Sequence, residues 1–85
     1  MRFSKEEILH TITPMIAKRL RVEESSISLG ARFKEDMGAD SIDLVELVMT
    51  LEAHFKVEFS DERLEELQTV QQAVDYLSDL LAAKG

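Results

Sequence analysis

The stretch MGADSIDLVELV, Met37 to Val48, decides the fold of this chain. It places a glycine turn and the helix-capping residue Asp40 before a strongly apolar run at helical spacing. The pattern predicts a helix that begins at Asp40 or Ser41 and ends near His54 or Phe55. At 3.6 residues per turn, one set of apolar side chains on this helix shares a face that can pack against a core: Leu44, Leu47, Val48, Leu51 and Phe55.

A second apolar set lies on a different side of the same helix. We call it the second ridge, and its members are Ile42, Val45 and Met49. A short helix or the long loop could cover the ridge, which would make it ordinary core. Alternatively it stays exposed as a docking surface rimmed by Asp43, Glu46 and Glu52, and suits partners that offer a hydrophobic groove edged with Lys or Arg. Periodicity alone does not choose between these interpretations.

The rest of the chain also predicts helices. Ser4 and Glu7 match a capping box that begins helix 1, which should run to about Arg21. Pro14 lies inside this helix and removes a backbone donor, so the helix either kinks there or restarts with Thr13 as its cap. The apolar stripe of helix 1 consists of Ile8, Ile12, Met15 or Ile16, and Leu20.

A long loop from Val22 to Asp40 separates the first two helices, and we expect three apolar side chains to hold it across the bundle: Ile27, Leu29 and Phe33. Ser60 caps a short helix through about Leu67. Thr69 and Gln72 match a second capping box, which opens a final helix whose apolar face holds Val70, Ala73, Val74, Leu77 and Leu81. With no alternating strand pattern, the sequence predicts an all-α bundle.

Composition limits the classes of function. A chain of 85 residues, 45% of them hydrophobic, suits one domain over residues 1–85. It has no cysteine, which excludes disulfides, thiolate metal sites and a thiol nucleophile. No apolar run approaches a membrane span, and MRFSKEEI lacks a signal segment, so we expect a cytoplasmic protein without membrane insertion.

The charge is acidic and unevenly distributed. The net charge is −7, which argues against a nucleic-acid partner. Residues 1–34 carry seven Lys or Arg against four Glu, whereas residues 35–66 carry eleven Asp or Glu against one Lys and one Arg. The acidity therefore surrounds the opening stretch. Such a charge speeds encounter with basic protein surfaces, but acidity alone favours the simpler interpretation of a solvated acidic face.

Ser41 is the candidate for chemistry. Serine at a helix start is most often a cap, but Asp40 can already fill that role, which leaves the Ser41 hydroxyl free as a chemical handle. It is not a predicted catalytic nucleophile, because His54 lies roughly 20 Å away along one helix and no G-x-S-x-G turn is present. His10 could approach only through tertiary folding.

The acidic residues do not predict a metal site. The carboxylates of Asp36, Asp40 and Asp43 lack the ligand spacing of a calcium loop, and no glutamate closes such a loop. Weak, nonspecific binding of cations is the most that their spacing supports. We therefore predict neither a catalytic residue nor a metal ligand.

Two segments resemble a known family. FKEDMGADSIDLVELVMTLEAHF, residues 33–55, followed by TVQQAVDYL, residues 69–77, is similar to the acyl carrier proteins, whose hallmark is a D-S-L type motif at the start of the second helix. Here the motif reads Asp40-Ser41-Ile42-Asp43. The resemblance is strong over residues 33–80 and looser over residues 5–32.

The resemblance implies a four-helix bundle with three main helices, one short helix and a long loop between helices 1 and 2. It implies a protein that is not an enzyme, in which Ser41 carries 4′-phosphopantetheine through a phosphodiester. The thiol of this group holds acyl groups as thioesters and delivers them to enzymes of fatty acid or related lipid or polyketide synthesis.

The resemblance also implies partners. These are a phosphopantetheinyl transferase, acyl-transfer and synthase enzymes with basic docking patches, and the acyl chains themselves; the carrier is expected to be a monomer. In this family the second helix is the recognition helix, which assigns partner contact to Asp40, Ile42, Asp43, Val45, Glu46, Met49 and Glu52.

Two alternatives stay open. The same carrier chemistry could serve aminoacyl or peptidyl cargo, or the chain could be an unmodified acidic helical adaptor that binds basic partners through helix 2. Ser60, where the family commonly has proline, and Arg21, where it commonly has glycine, leave the pathway undecided.

Overall fold

Four α-helices make up the bundle in a computed structural model that describes residues 4–84. They are α1 (Lys5–Leu20), α2 (Ser41–Phe55), α3 (Asp61–Glu66) and α4 (Val70–Lys84), and a single 3₁₀ turn, Glu24–Ser26, lies in the first loop. This confirms the predicted all-α fold with three main helices, one short helix and a long loop after the first helix. No helix within residues 4–84 is long and apolar enough to cross a membrane.

The capping box at the start of α1 is confirmed. Glu7 N donates to Ser4 Oγ at 3.1 Å, and Ser4 N donates to Glu7 Oε1 at 3.4 Å. The helix ends where Arg21 takes a left-handed conformation with φ 58°. Of the predicted stripe, Ile8, Ile12 and Ile16 are fully buried, whereas Met15 and Leu20 are half-buried.

Pro14 does not divide α1. The helix is unbroken from Lys5 to Leu20, so the alternative of a restart capped by Thr13 is wrong. The Thr13 hydroxyl instead donates to Leu9 O at 2.6 Å, as a residue inside a helix can. Pro14 is exposed, so water can reach the carbonyl that lacks its helical donor.

Backbone hydrogen bonds and buried side chains together hold the long loop against the start of α4. Val70 N donates to Ala31 O at 3.0 Å, and Phe33 N donates to Gln68 O at 2.9 Å. The side chains of Ile27 and Phe33 are buried as predicted, and so are those of three residues that the sequence did not single out: Ala31, Met37 and Ala39.

The prediction that Leu29 anchors the loop is wrong, because its side chain is 38% exposed. Leu29 contributes through its backbone, since its carbonyl accepts from Gln71 N at 2.9 Å. A hydrogen bond to α4 fixes the chain at this point without requiring the side chain to point inward.

The core lies between α1, α2 and α4, with α1 packed against both of the others. The whole first apolar set of α2 is buried. On α4 the predicted face is also buried apart from Leu81, which is half-buried: Val70, Ala73, Val74 and Leu77.

Side-chain caps open the last two helices as the sequence predicted. Arg63 N donates to Ser60 Oγ at 3.2 Å at the start of α3. Gln72 N donates to Thr69 Oγ1 at 3.2 Å and Thr69 N to Gln72 Oε1 at 3.0 Å, which completes the capping box before α4. The helices that surround the opening stretch are thus fixed at their ends by short-range contacts.

Candidate functional site

A reciprocal capping box fixes the start of α2. Asp43 N donates to Asp40 Oδ1 at 2.8 Å, and Asp40 N donates to Asp43 Oδ2 at 3.2 Å. The chain enters this box through Gly38, whose φ of 68° lies in the left-handed region that glycine adopts without strain. Asp40 is therefore the cap of α2, as the sequence predicted, and Ser41 is its first helical residue.

Ser41 is exposed, and within residues 4–84 its hydroxyl makes no hydrogen bond to another group. Because Asp40 and Asp43 already serve the first turn, the serine oxygen is not needed for capping. Neither His10 nor His54 hydrogen-bonds it, so none of the described residues acts as a base that would activate it. The site therefore presents an accessible serine hydroxyl that no described side chain contacts as a base.

A cleft of about 510 Å³ adjoins Ser41 between α2, α3 and the first loop. Its apolar lining consists of Leu44, Val45, Leu64 and Leu67. Its polar lining consists of Lys34, Glu35, Glu65 and Gln68. The sequence analysis missed this cleft, because the gap between α2 and α3 is set by tertiary packing; the only local signal was the spacing of Leu64 and Leu67.

The second ridge is exposed. Ile42 is 67% exposed, Val45 41% and Met49 60%, so the interpretation in which α3 or the loop buries the ridge is wrong. Three large apolar side chains on one side of α2 form an exposed hydrophobic patch of the kind that protein partners contact. The exposure that the docking interpretation requires is present.

The acidic residues along the ridge differ in how they are used. Asp40 and Asp43 form the capping box. Glu46 is exposed and pairs with Arg19 of α1, whereas half-buried Glu52 accepts from Phe59 N at 2.7 Å. Glu52 therefore helps to fix the chain after α2, a role that the sequence analysis did not foresee.

Two ion pairs with shifted pKa values lie in the surrounding scaffold. Arg32 N donates to Asp36 Oδ2 at 2.8 Å and Arg32 Nε at 3.3 Å, and these bonds hold the pKa of Asp36 below its ordinary value. Lys5 Nζ lies 2.9 Å from Asp75 Oδ1, which lowers the pKa of Asp75 and raises the pKa of Lys5. The first pair stabilises the loop before α2, and the second joins α1 to α4.

No cluster of three or more His, Asp or Glu side chains within residues 4–84 is arranged to hold a metal ion. What the site does offer is an accessible serine hydroxyl, an adjacent cleft, and an exposed apolar ridge with carboxylates beside it. These features fit a prosthetic arm linked through an oxygen, since the Ser41 oxygen is accessible and there is open volume beside it.

Comparison with known proteins identifies the class. A family model described as the phosphopantetheine attachment site matches residues 10–77. The acyl carrier protein of Rubrobacter xylanophilus is 51% identical over 73 residues, which cover 86% of this chain and 90% of that protein.

Solved structures agree. The acyl carrier protein of Enterococcus faecalis superposes with a TM-score of 0.77 at 35% identity, covering 92% of this chain and 99% of that one. An acyl carrier domain named HMG-ACPI, from the CurA module of Lyngbya majuscula, gives a TM-score of 0.85 at 26% identity and covers 99% and 84%. The acyl carrier protein of Thermotoga maritima, at 22% identity and a TM-score of 0.83 over 95% and 94%, shows the shared fold.

The attachment-site match defines a protein that carries a phosphopantetheine arm. The chain belongs to the acyl carrier protein family. Its prosthetic group is accordingly 4′-phosphopantetheine, and its function is to carry acyl groups.

Proposed function

We propose that Ser41 is the residue that carries 4′-phosphopantetheine, linked through a phosphodiester. The terminal thiol of this group supplies the thioester chemistry for acyl groups on their way to enzymes of fatty acid or related lipid or polyketide synthesis. The observation that carries the proposal is the exposed hydroxyl of Ser41, the first residue of α2, which no other group in the described part of the chain hydrogen-bonds. In this proposal residues 1–85 are one carrier domain that catalyses nothing itself.

Asp40 and Asp43 do two things in this proposal. They fix the first turn of α2, which presents the Ser41 oxygen in a defined place. A helix start normally favours a phosphate, but two carboxylates in the same turn repel one. Their charge therefore directs a phosphate on Ser41 away from the helix end and toward solvent, where a tethered arm gives a high effective concentration at a bound enzyme.

The cleft beside Ser41 gives the cargo a place to shelter. Leu44 and Val45 of α2 face Leu64 of α3 across it. Each methylene of an acyl chain removed from water there gains roughly 0.8 kcal/mol before any cost of opening the structure. An acyl group between these side chains would keep its thioester near the protein until a partner withdraws it.

The second ridge and the carboxylates beside it form the proposed partner surface: Asp40, Ile42, Asp43, Val45, Glu46, Met49 and Glu52. We propose that it binds the phosphopantetheinyl transferase and the acyl-transfer and synthase enzymes, through hydrophobic grooves edged with Lys or Arg. Charge complementarity of this kind accelerates encounter and selects partners. The protein in this proposal acts as a monomer in the cytoplasm.

The proposal is tested by intact mass after incubation of the apo-protein with coenzyme A and a phosphopantetheinyl transferase. We expect one 4′-phosphopantetheine adduct on the wild-type chain, no adduct on Ser41→Ala, and an unchanged adduct on Ser28→Ala, which removes another exposed serine. Because the chain has no cysteine, a thiol reagent should label only the modified protein. An adduct on Ser41→Ala, or none on the wild type, would overturn the proposal.

The class of cargo is measured on the same molecule. Mass spectrometry of the protein purified from its own host should show a fatty acyl or polyketide acyl group on the arm, with no amino-acid residue in it. An aminoacyl or peptidyl mass in place of an acyl mass would contradict the assignment to lipid or polyketide synthesis while leaving Ser41 as the attachment site.

A further inference from the structure

Arg19 connects α1 to the proposed partner surface. Its Nη1 donates to Glu46 Oε2 at 2.9 Å, and its Nη2 donates to Thr50 Oγ1 at 3.3 Å. The Thr50 hydroxyl in turn donates to Glu46 O at 2.9 Å. One guanidinium therefore spans a turn of α2 beside the second ridge, and both members of the ion pair stay about half exposed, at 41% and 50%.

Glu46 differs from the other proposed docking carboxylates in this respect. Asp40 and Asp43 accept backbone N–H groups of their own turn, and Glu52 accepts one from Phe59. Glu46 is the proposed docking carboxylate that, within residues 4–84, already holds a cation of its own chain.

A basic partner that pairs with Glu46 competes with this contact, which uses one carboxylate oxygen, Oε2. A lysine or arginine of a bound enzyme either displaces the Arg19 guanidinium or shares the carboxylate with it, and in both cases two positive charges are brought close together. The attraction lost between Arg19 and Glu46, or the repulsion between the two cations, is therefore subtracted from the free energy of binding. For exposed ion pairs this amounts to a change in affinity of about two- to fivefold.

We propose that Arg19 is a specificity-determining residue of this surface, which competes with the basic side chains of partner enzymes for Glu46. The proposal rests on the proposed function of α2 as the docking helix. Partners that depend on Glu46 bind more weakly because of Arg19, and partners that contact only the first turn of α2 do not. Arg19 in this way biases the protein toward some enzymes over others without touching Ser41.

The test uses KM and kcat of a phosphopantetheinyl transferase for the apo-protein. We expect Arg19→Gln to lower KM by about two- to fivefold with kcat unchanged. Lys18→Gln is the matched control, because Lys18 is an exposed neighbour without an ion pair within residues 4–84, and its loss changes the net charge equally. It should change KM by less than Arg19→Gln does.

Glu46→Gln separates competition from a structural role. Both Arg19→Gln and Glu46→Gln remove the same ion pair, so a purely structural effect would move KM in the same direction for both. Competition predicts opposite directions, with KM lowered by Arg19→Gln and raised by Glu46→Gln. In the Glu46→Gln background, adding Arg19→Gln should change KM by no more than adding Lys18→Gln does.

Three results would overturn the inference: equal effects of Arg19→Gln and Lys18→Gln, a KM raised by Arg19→Gln, or no effect of Glu46→Gln. Thermal unfolding of each variant shows that it is folded at the assay temperature. The adduct on the wild-type protein is measured separately. A wild type that is not modified contradicts the proposed function. A modified wild type whose KM is changed equally by Arg19→Gln and Lys18→Gln contradicts only the role of Arg19.

Discussion

Leu47 and Met49 lie two residues apart on α2, yet Leu47 is fully buried and Met49 is 60% exposed. Both side chains are large and apolar, so hydrophobicity does not explain the difference. It follows from where each points: Leu47 belongs to the set that packs into the core, and Met49 belongs to the second ridge. One face of the helix packs into the core, and the other is exposed.

The path of the segment after α2 explains why no other part of residues 4–84 covers the second ridge. Phe59 N donates to Glu52 Oε2 at 2.7 Å, and the Phe59 ring makes an edge contact with Tyr76 of α4 at 4.8 Å between centroids. These contacts lead the chain toward α4. The helix α3 that follows has only six residues, and its Leu64 faces the cleft rather than Met49.

Loss of the Leu47 side chain should have the largest effect. Leu47→Ala leaves a cavity in the core and should lower the free energy of unfolding by about 2–5 kcal/mol. The matched change Met49→Ala should alter it by less than about 0.5 kcal/mol, since Met49 is on the surface. Urea denaturation of the two variants measures both values, and similar losses would mean that the ridge is packed in solution.

A charge on the second ridge should weaken partner binding and leave the stability of the fold almost unchanged. Met49→Glu should leave the unfolding free energy within about 0.5 kcal/mol but raise the KM of the phosphopantetheinyl transferase by about tenfold or more, because it places a carboxylate in an apolar contact. Leu29→Glu is the control, since Leu29 is also a large exposed apolar residue but lies outside α2. Equal KM values for the two variants would contradict the docking role of the ridge.

Much of this contrast could be predicted from the sequence. Capping boxes and helical periodicity depend on residues three or four apart, so the helix bounds, the buried set of α2 and the cap Asp40 were all predicted and are confirmed. For Ser41 the residues alone favour a helix cap, and the alternative of a free hydroxyl depends on Asp40 as the cap; the structure shows the alternative, with Asp40 as the cap and Ser41 exposed.

Contacts between distant residues could not be predicted in the same way. Periodicity showed that the second ridge exists, but its exposure depends on the path of the chain after Phe55. The pairing of Arg19 with Glu46 spans two helices, and the cleft depends on the spacing of α2 and α3. The apolar side chain of Leu29 predicts an anchor for the long loop, whereas it is the Leu29 backbone, through the hydrogen bond from Gln71 N, that holds the loop there.

Removal of the Asp40 carboxylate tests how much the N-cap stabilises the first turn of α2. Asp40→Ala should lower the unfolding free energy by about 1 kcal/mol through loss of the cap, and Asp40→Asn should restore most of it. The loss is local, so amide exchange at Asp43 and Leu44, whose N–H groups donate to Asp40, should accelerate more than exchange at Leu51. Equal acceleration along α2 would mean that the capping box does not hold the first turn separately.

Acid should weaken the Arg32–Asp36 contact in the loop before α2, and we expect its effect on stability to be the smallest of those predicted. The hydrogen bonds from Arg32 hold the pKa of Asp36 below its ordinary value, so the unfolded chain binds this proton more readily. The resulting stability is present above the ordinary pKa of about 4 and is lost as the pH falls through the pKa of the folded state. Asp36→Asn should therefore unfold at a lower temperature than the wild type near pH 7, with a difference that shrinks toward pH 3.

Glu58→Gln is the control, because Glu58 is an exposed carboxylate without a hydrogen bond or ion pair within residues 4–84. A difference between wild type and Asp36→Asn that persists unchanged at pH 3 would show that the asparagine disturbs the loop by its shape rather than by its charge. Asp36 lies one residue before Met37, which is buried beside the entry to α2. The charge-dependent part of the difference therefore measures what the Arg32–Asp36 contact contributes to the stability of the loop before α2.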